Sequence, residues 1–502
     1  ALELALGIPP VWGYLICAVV VIPLVTHGVS TISRLQMWTQ PVWLLMLVLP
    51  FVYVLMRDPG AFAGVVHYAG ELNPGGGFSL HLFGAGLTVG IALITQMGEQ
   101  ADYLRFMPVH TPATRWRWWG GVLAGGPGWV LLGVVKMLCG VLLAYLAIRN
   151  MVPPDRAVDP NQMYLAAYEY VFPSYGMAVA ATALFVVVSQ LKINVTNAYA
   201  GSLAWSNCFS RLTHSHPGRV VWVVFNTLIA FMLMEMNVFK ALGEVLGLYS
   251  NIAIAWMMAV VADLVINKPL GLSPKGIEFK RAHLYDINPV GVGAMGLASV
   301  LGVSAHLGVF GPLAQAFSAV IAMVTALVTS PLIAWATGGR YYMARSSEPG
   351  AATAQAGEDA LSAHSLSRCV ICERSYEKPD MAHCPAYQGA ICSLCCTLDA
   401  RCGDMCKPQA SLSAQWSGAL RWVLPRSIWQ YLDTGLAHFL LMMLVIVPVL
   451  AGVFGFLYVQ ELRPLAESVG VSAAALRSGF VKAYLGLLVI AGLVAWWMVL
   501  AH

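Results

Sequence analysis

Apolar and polar positions along this chain sort into long apolar runs separated by short polar loops. A helix needs about 20 apolar residues to cross about 30 Å of hydrocarbon. Nine runs approach that length ahead of a polar stretch: Val11 to Val25, Met37 to Met56, Leu82 to Met97, Trp118 to Ile148, Met177 to Trp205, Val220 to Met236, Leu246 to Ile266, Val290 to Val309 and Leu313 to Ala334. Two more follow it, Ala437 to Val459 and Phe480 to Ala501. The pattern predicts an all-α integral membrane protein. Its expected organisation is a transmembrane module over 1–345, a linker rich in Ala, Ser, Gly and Glu over 346–368, a cysteine-rich insert over 369–408, a connecting segment over 409–436, and a two-helix transmembrane segment over 437–502.

Composition narrows the class without changing it. The chain is 59% hydrophobic and only 10% charged, too little charge to clothe a soluble globule of 502 residues. Membrane lipid is therefore an expected partner, and a net charge of +4 with no long basic run points to no nucleic acid. The chain opens on Ala1 with no charged leader or cleavage site, and is read as starting inside a longer protein. Loop charges orient the spans. If loops alternate sides, one side receives Arg34, Arg105, Arg115, Arg117, Arg211, Arg219, Lys268, Lys275, Lys280 and Arg281, against Arg57, Arg149, Arg156 and Lys240 on the other. The first group is then cytoplasmic, and so is the insert.

The insert holds eight of the eleven cysteines: Cys369, Cys372, Cys384, Cys392, Cys395, Cys396, Cys402 and Cys406. In a reducing cytosol clustered thiols are metal ligands more often than disulfides. The outer pairs read Cys-x2-Cys-x19-Cys-x2-Cys, the spacing of a zinc ribbon, in which each pair offers two thiolates from one tight turn. Eight thiolates suffice for two tetrahedral sites, with His383 as a spare ligand. Structural zinc is the simplest reading, because so short a segment has too small a core to fold alone and metal binding supplies folding energy; an iron–sulfur cluster or redox sensing is the alternative. The pairing of cysteines stays open. Beyond them, Lys407 to Arg426, with Trp416 and Trp422, reads as an interfacial segment leading to the tenth span.

Polar residues inside spans are the other candidates, since uncompensated polar groups in lipid are costly and usually line a cavity. The third span ends with Gln96, Glu99, Gln100, Asp102 and Arg105, where Gly90 and Gly98 allow a helix break that exposes ligand-binding backbone. The competing reading is a cytoplasmic helix end with an Asp102–Arg105 ion pair. The fifth span carries Ser189, Gln190, Lys192, Asn194, Thr196 and Asn197 within an otherwise apolar run. Gln190, Asn194 and Asn197 share a helix face and offer several amides to one ligand; interhelical hydrogen bonding is the alternative.

On Gly28 to Gln36, Asp102 to Phe106 and Asn194 to Ser202, taken in that order, residues 1–345 resemble the nucleobase:cation symporters. The resemblance implies a LeuT-like inverted-repeat transporter fold, here incomplete: about nine spans, matching the fourth through twelfth of a twelve-span protein. It implies a small-molecule solute held by Gln96, Glu99, Gln100, Gln190, Asn194, Thr196 and Asn197, with Ser189 and Lys192 at the place of the family's sodium site. There this sequence has Lys192 and Ile193 where small hydroxylated residues are usual, so the ammonium is a candidate replacement for the ion.

The motifs Cys369 to Glu373, His383 to Tyr387 and Ile391 to Cys402 resemble a cysteine-rich block of bacterial hybrid sensor histidine kinases, where it follows a permease-like module and precedes two more spans. That resemblance implies a multi-pass protein of the bacterial inner membrane and a kinase core beyond His502. It also implies homodimerisation through that core and a response regulator as partner. Residues 1–502 contain no phosphoacceptor box and no ATP-binding glycine boxes. Two functions are carried forward: the sensory input module of a two-component kinase, and a secondary active transporter of nucleobase-like solutes coupled to a cation.

Overall fold

A computed structural model describes the chain except residues 1, 69, 71–75, 95–103, 105–106, 109, 155, 214–217, 236–241, 346–365, 399–401 and most of 429–502. The described protein is mostly helical, and six helices are long and apolar enough to cross a membrane: Val29–Arg57, Pro112–Arg149, Tyr175–Ser210, Gly247–Asn267, Pro289–His306 and Ser318–Thr337. Val11–Thr26, Leu80–Ile91 and Val220–Phe231 are shorter apolar helices. Together these fall on the nine predicted runs. In the last two runs the residues that are described are helical; Phe439 packs edge-on against Trp496 at 5.6 Å, and Tyr484 donates to the Val447 carbonyl at 3.1 Å.

Two runs predicted as single spans are broken, each for a local reason. The fourth divides into Arg115–Gly125 and Gly128–Arg149, because Pro127 lacks an N–H and sits beside two glycines. The ninth divides into Pro312–Ala316 and Ser318–Thr337. Its freed Ala316 carbonyl accepts from the buried Thr88 hydroxyl at 2.7 Å, the kind of replacement partner that a broken helix in an apolar medium requires. Gly84 makes room for the break, since a Cβ there would lie 2.5 Å from the Phe317 ring.

The chain divides into two compact units. The first comprises Ala1–Ser206, Pro217–Ser273 and Val290–Ala336; the second comprises Asn207–His216, Pro274–Pro289 and Thr337–His502. Within the first, Val21, Val25, Ile32, Val195, Ala198, Tyr199 and Val223 form one core, and Ile91, Ile254, Ala255, Ala298, Ala319, Ala322 and Ala326 another. The second core is dominated by alanine because its helices approach closely, as helices in membranes do where small residues meet.

The second unit departs from the sequence-derived boundaries, which leave Pro274–Pro289 with the transmembrane module. That loop, between the helices ending at Asn267 and starting at Pro289, shares a core with the insert: Ala282 is buried among Cys369, Cys384, Cys392 and Cys396. The insert itself is built from two small antiparallel sheets, β1 Leu366–Arg368 with β2 Ser375–Glu377, and β3 Met381–Cys384 with β4 Gly389–Cys392, followed by the short helix Ser393–Leu398. The helix Leu412–Val423 comes next, N-capped by Ser411.

Gly302 tests the close packing of the first unit. Its Cβ position lies 2.8 Å from both the Ala322 Cβ and the Asn251 Oδ1. Gly302→Val is expected to destabilise the detergent-solubilised protein by about 1–3 kcal/mol through overpacking, measured by thermal unfolding, whereas Gly296→Ala, where nothing lies within 4 Å, is expected to leave the transition unchanged.

Candidate metal centre

The spacing Cys-x2-Cys-x19-Cys-x2-Cys becomes a cluster in three dimensions. The sulfurs of Cys369, Cys372, Cys392 and Cys395 all lie within 4.8 Å of one another, in a pocket-like arrangement that fits a metal ion. The first pair sits on a tight turn after β1: the Glu373 N–H bonds the Cys369 carbonyl at 2.9 Å, and Glu373 takes up a left-handed φ of 58°. The second pair runs from the end of β4 into the helix Ser393–Leu398. The Val370 N–H donates to the Ala390 carbonyl at 3.0 Å and brings the turn against β4. Gly389 permits that approach, because a Cβ there would lie 2.6 Å from the Val370 side chain.

The donor set has the chemistry of a thiolate site. The Cys392 N–H points at the Cys369 sulfur at 3.3 Å, the Cys395 N–H at the Cys392 sulfur at 3.4 Å, and the sulfurs of Cys372 and Cys392 are 4.0 Å apart. Tetrahedral zinc with Zn–S bonds of about 2.3 Å needs sulfurs about 3.8 Å apart, so closing the site requires little movement. Burial pushes the Cys369 thiol up, but N–H groups of Cys372, Cys392 and Ile371 outweigh it and bring the pKa down to about 6. Cys392 and Cys395 are pushed up, by burial first and then by neighbouring sulfur. One thiolate thus forms readily and resists the next, the repulsion that a bound dication removes.

Of the eight predicted ligands, Cys384, Cys396, Cys402 and Cys406 stand outside this group. All eight cysteines are free thiols in the structure. His383, considered as a spare ligand, is exposed on β3 and also outside the group.

What residue types did not reveal is the polar network that binds the Pro274–Pro289 loop to the insert. Lys407, with a fully buried side chain, donates to Asp286 at 2.6 Å and to the Leu284 carbonyl at 2.8 Å. Arg281, 6% exposed, pairs with Asp404 at 2.6 Å and approaches Asp286 at 3.6 Å. Asp286 also accepts from the Leu412 N–H, and Gln415 both accepts from the Ile287 N–H and donates to its carbonyl. Burial raises the Asp286 carboxyl, but Lys407, then Arg281 and the Leu412 N–H, outweigh it and hold its pKa below the ordinary value. Partners more than a hundred positions apart left no signal in spacing.

Within the membrane-spanning part, Gln96, Glu99, Gln100 and Asp102 lie outside the described residues, as does Arg105. In the helix Tyr175–Thr213, Gln190 and Asn197 are exposed, and Asn194 and Thr196 are half-buried. Thr196 bonds back to the Ile193 carbonyl at 2.8 Å. Lys192 points elsewhere. It is buried, and its ammonium donates to Gln40 Oε1 at 2.7 Å, Thr39 Oγ1 at 3.3 Å and the Gln36 carbonyl at 3.5 Å, with the Trp43 ring centroid 5.4 Å away. Trp43 in turn donates to Ser189 Oγ at 2.8 Å. Sequence reading missed this cage, although Gln36, Thr39, Gln40 and Trp43 recur at helical spacing in Val29–Arg57.

No protein-family model, no curated protein and no solved structure gives a significant match to this chain.

The buried ion pairs predict an asymmetry. Asp286→Asn leaves the Lys407 ammonium buried without a counter-charge and is expected to destabilise the second unit by about 3–5 kcal/mol, whereas Asp286→Leu combined with Lys407→Met is expected to recover most of that loss. Unfolding of both variants and the parent, followed by hydrogen exchange in 274–289 and 402–415, measures it. Because the Asp286 pKa is depressed, its contribution is present above about pH 4 and disappears as pH falls through the lower folded value; in Asp286→Asn that loss should be absent.

Proposed function

We propose that this chain is the sensory input module of a two-component histidine kinase, derived from a solute transporter. The permease-like part binds a nucleobase-like solute and the zinc-organised insert passes its rearrangement to the last two spans and a cytoplasmic kinase core. The reading places the protein in a bacterial inner membrane with the insert in the cytoplasm. The observation that carries it is the ion-paired joint between Pro274–Pro289 and the insert. A loop whose two ends are membrane helices is held by buried charges to the segment that leads into the last two apolar runs. Such a joint gives a change in the membrane helices a physical route out of them, provided the solute binds two conformations with different affinity.

A secondary transporter is the second reading, favoured by the half-open polar face of Gln190, Asn194 and Asn197. Both readings share the solute site, and Lys192 bears on both. Carbonyl, hydroxyl and amide oxygens around its ammonium are the donors that a sodium ion uses, so a fixed cation here replaces a bound one.

Two measurements test these statements. Continuation of the reading frame past His502 into a helical linker, a phosphoacceptor histidine and ATP-binding glycine boxes is expected; a stop within a few codons would sink the kinase reading, and uptake of labelled nucleobases by proteoliposomes would then decide for transport. For Lys192, nucleobase binding by the parent should be equal in sodium and choline, with sodium dependence appearing only in Lys192→Ser. Sodium dependence in the parent rules replacement out.

A further inference from the structure

The four cysteines left outside the first cluster are not scattered. In the β3–β4 ladder Cys392 pairs with Met381, and Cys384 pairs with Gly389 three positions along. Directly opposed residues share a face and successive residues alternate, so Cys384 and Cys392 project from opposite faces of the hairpin. Cys395 and Cys396 are consecutive on the helix Ser393–Leu398 and project about 100° apart. Each element therefore gives one cysteine to the first set and one to another direction. Cys384 and Cys396 are buried there, with Cys402 and Cys406 packed against the same core.

Three further observations mark this second direction as a thiolate site. Cys402 and Cys406 lie on a turn in which Gly403 and Asp404 both hold left-handed φ, 58° and 55°. Ala282, from the Pro274–Pro289 loop, is buried in the same cluster as Cys384 and Cys396. Arg281, more than nine-tenths buried, has a buried Nε with no hydrogen-bond partner among the described residues, and its charge reaches Cys396. Arg281, Arg345 and Lys407 supply positive charge around them. Four thiolates and one dication carry a net negative charge; Arg281 and Lys407 are already paired with Asp404 and Asp286, so Arg345 is the cation left to offset part of it.

We propose that Cys384, Cys396, Cys402 and Cys406 hold a second thiophilic dication of the zinc class, on the opposite face of the hairpin from the first, and that this ion fastens the Pro274–Pro289 loop to the insert. It rests on the reading of the insert as metal-organised. Among the described residues only the first set is drawn within 4.8 Å, so loading the second contracts the Cys402–Cys406 turn. That turn carries Asp404 and adjoins Lys407, the two residues that grip Arg281 and Asp286. Metal occupancy and loop attachment are thereby linked. The two sites interleave in sequence, as Cys369, Cys372, Cys392 and Cys395 against Cys384, Cys396, Cys402 and Cys406, but each keeps its own four ligands.

The test uses the full chain in lipid nanodiscs, loaded with zinc alone and freed of loose metal. Two zinc ions per chain are expected by elemental analysis, falling to one in Cys384→Ser/Cys402→Ser and to one in Cys369→Ser/Cys395→Ser. One ion in the parent, retained in Cys384→Ser/Cys402→Ser and lost from Cys369→Ser/Cys395→Ser, overturns the second site and leaves the first intact. No ion in the parent overturns both. Alkylation of the unmutated chain gives a readout independent of any folding defect in the variants. Cys402 and Cys406, which are only half-buried, should label at least tenfold more slowly with zinc than after chelation, and hydrogen exchange at 280–287 should quicken on chelation. Equal labelling rates with and without zinc overturn the proposal.

Discussion

The Asp286 carboxylate, held between Lys407 and Arg281, is the interaction on which the architecture of the second unit depends. An ammonium with no exposed surface and a guanidinium almost as deeply buried are tolerable only if a counter-charge is placed at hydrogen-bond distance. Asp286 does this for Lys407, Asp404 does it for Arg281, and the Leu412 N–H uses the other Asp286 oxygen. Three segments distant in sequence, the 274–289 loop, the Cys402–Cys406 turn and the start of the Leu412–Val423 helix, are thereby brought together by groups that cannot be separated without stranding a charge. Such pairs add little net stability relative to well-packed apolar residues. What they supply is a single permitted register between loop and insert.

That matters because apolar packing alone does not specify the insert. Its core consists of Met381, Ala382, Ile391 and Ala282 together with cysteines. A core so small and so rich in sulfur gains folding energy if a metal ion fills the four-cysteine cluster. The N–H groups aimed at Cys369 and Cys392 prepare part of the site before any ion arrives, and the lowered Cys369 pKa makes that residue the natural first ligand. Charge pairing sets where the insert attaches; sulfur chemistry sets whether it is rigid.

The apolar helices were legible because crossing hydrocarbon demands long apolar runs; six among the described residues are long and apolar enough to do so. Their interruptions were less so: Pro127 announces a break, but the break at Phe317 depends on the space left by Gly84 and on the Thr88 hydroxyl from another helix. For the cluster of four cysteines, the x2–x19–x2 spacing was enough, since each pair sits on one local turn. Cys384, Cys396, Cys402 and Cys406 share no such spacing, and it takes the hairpin register to tell the direction of Cys384 from that of Cys392. The partners of Lys192 illustrate a second limit. A cation in a span ordinarily pairs with a carboxylate, yet the described partners of Lys192 are neutral oxygens and an indole face.

Neutral partners make Lys192 a different device from an ion pair. A carboxylate neighbour would cancel its charge, whereas dipoles solvate it and leave the charge in place to act on whatever approaches. The Trp43 face contributes further attraction, about 0.5–2 kcal/mol depending on desolvation. Gln190, Asn194 and Asn197 lie on the same helix with side chains unlike Lys192 in exposure, so one rigid element carries a partly open amide face and a fixed cation. That helix runs unbroken to Thr213, and its last residues belong to the second unit together with the insert. The cation cage ties that helix to Val29–Arg57 through Gln36, Thr39, Gln40 and Trp43.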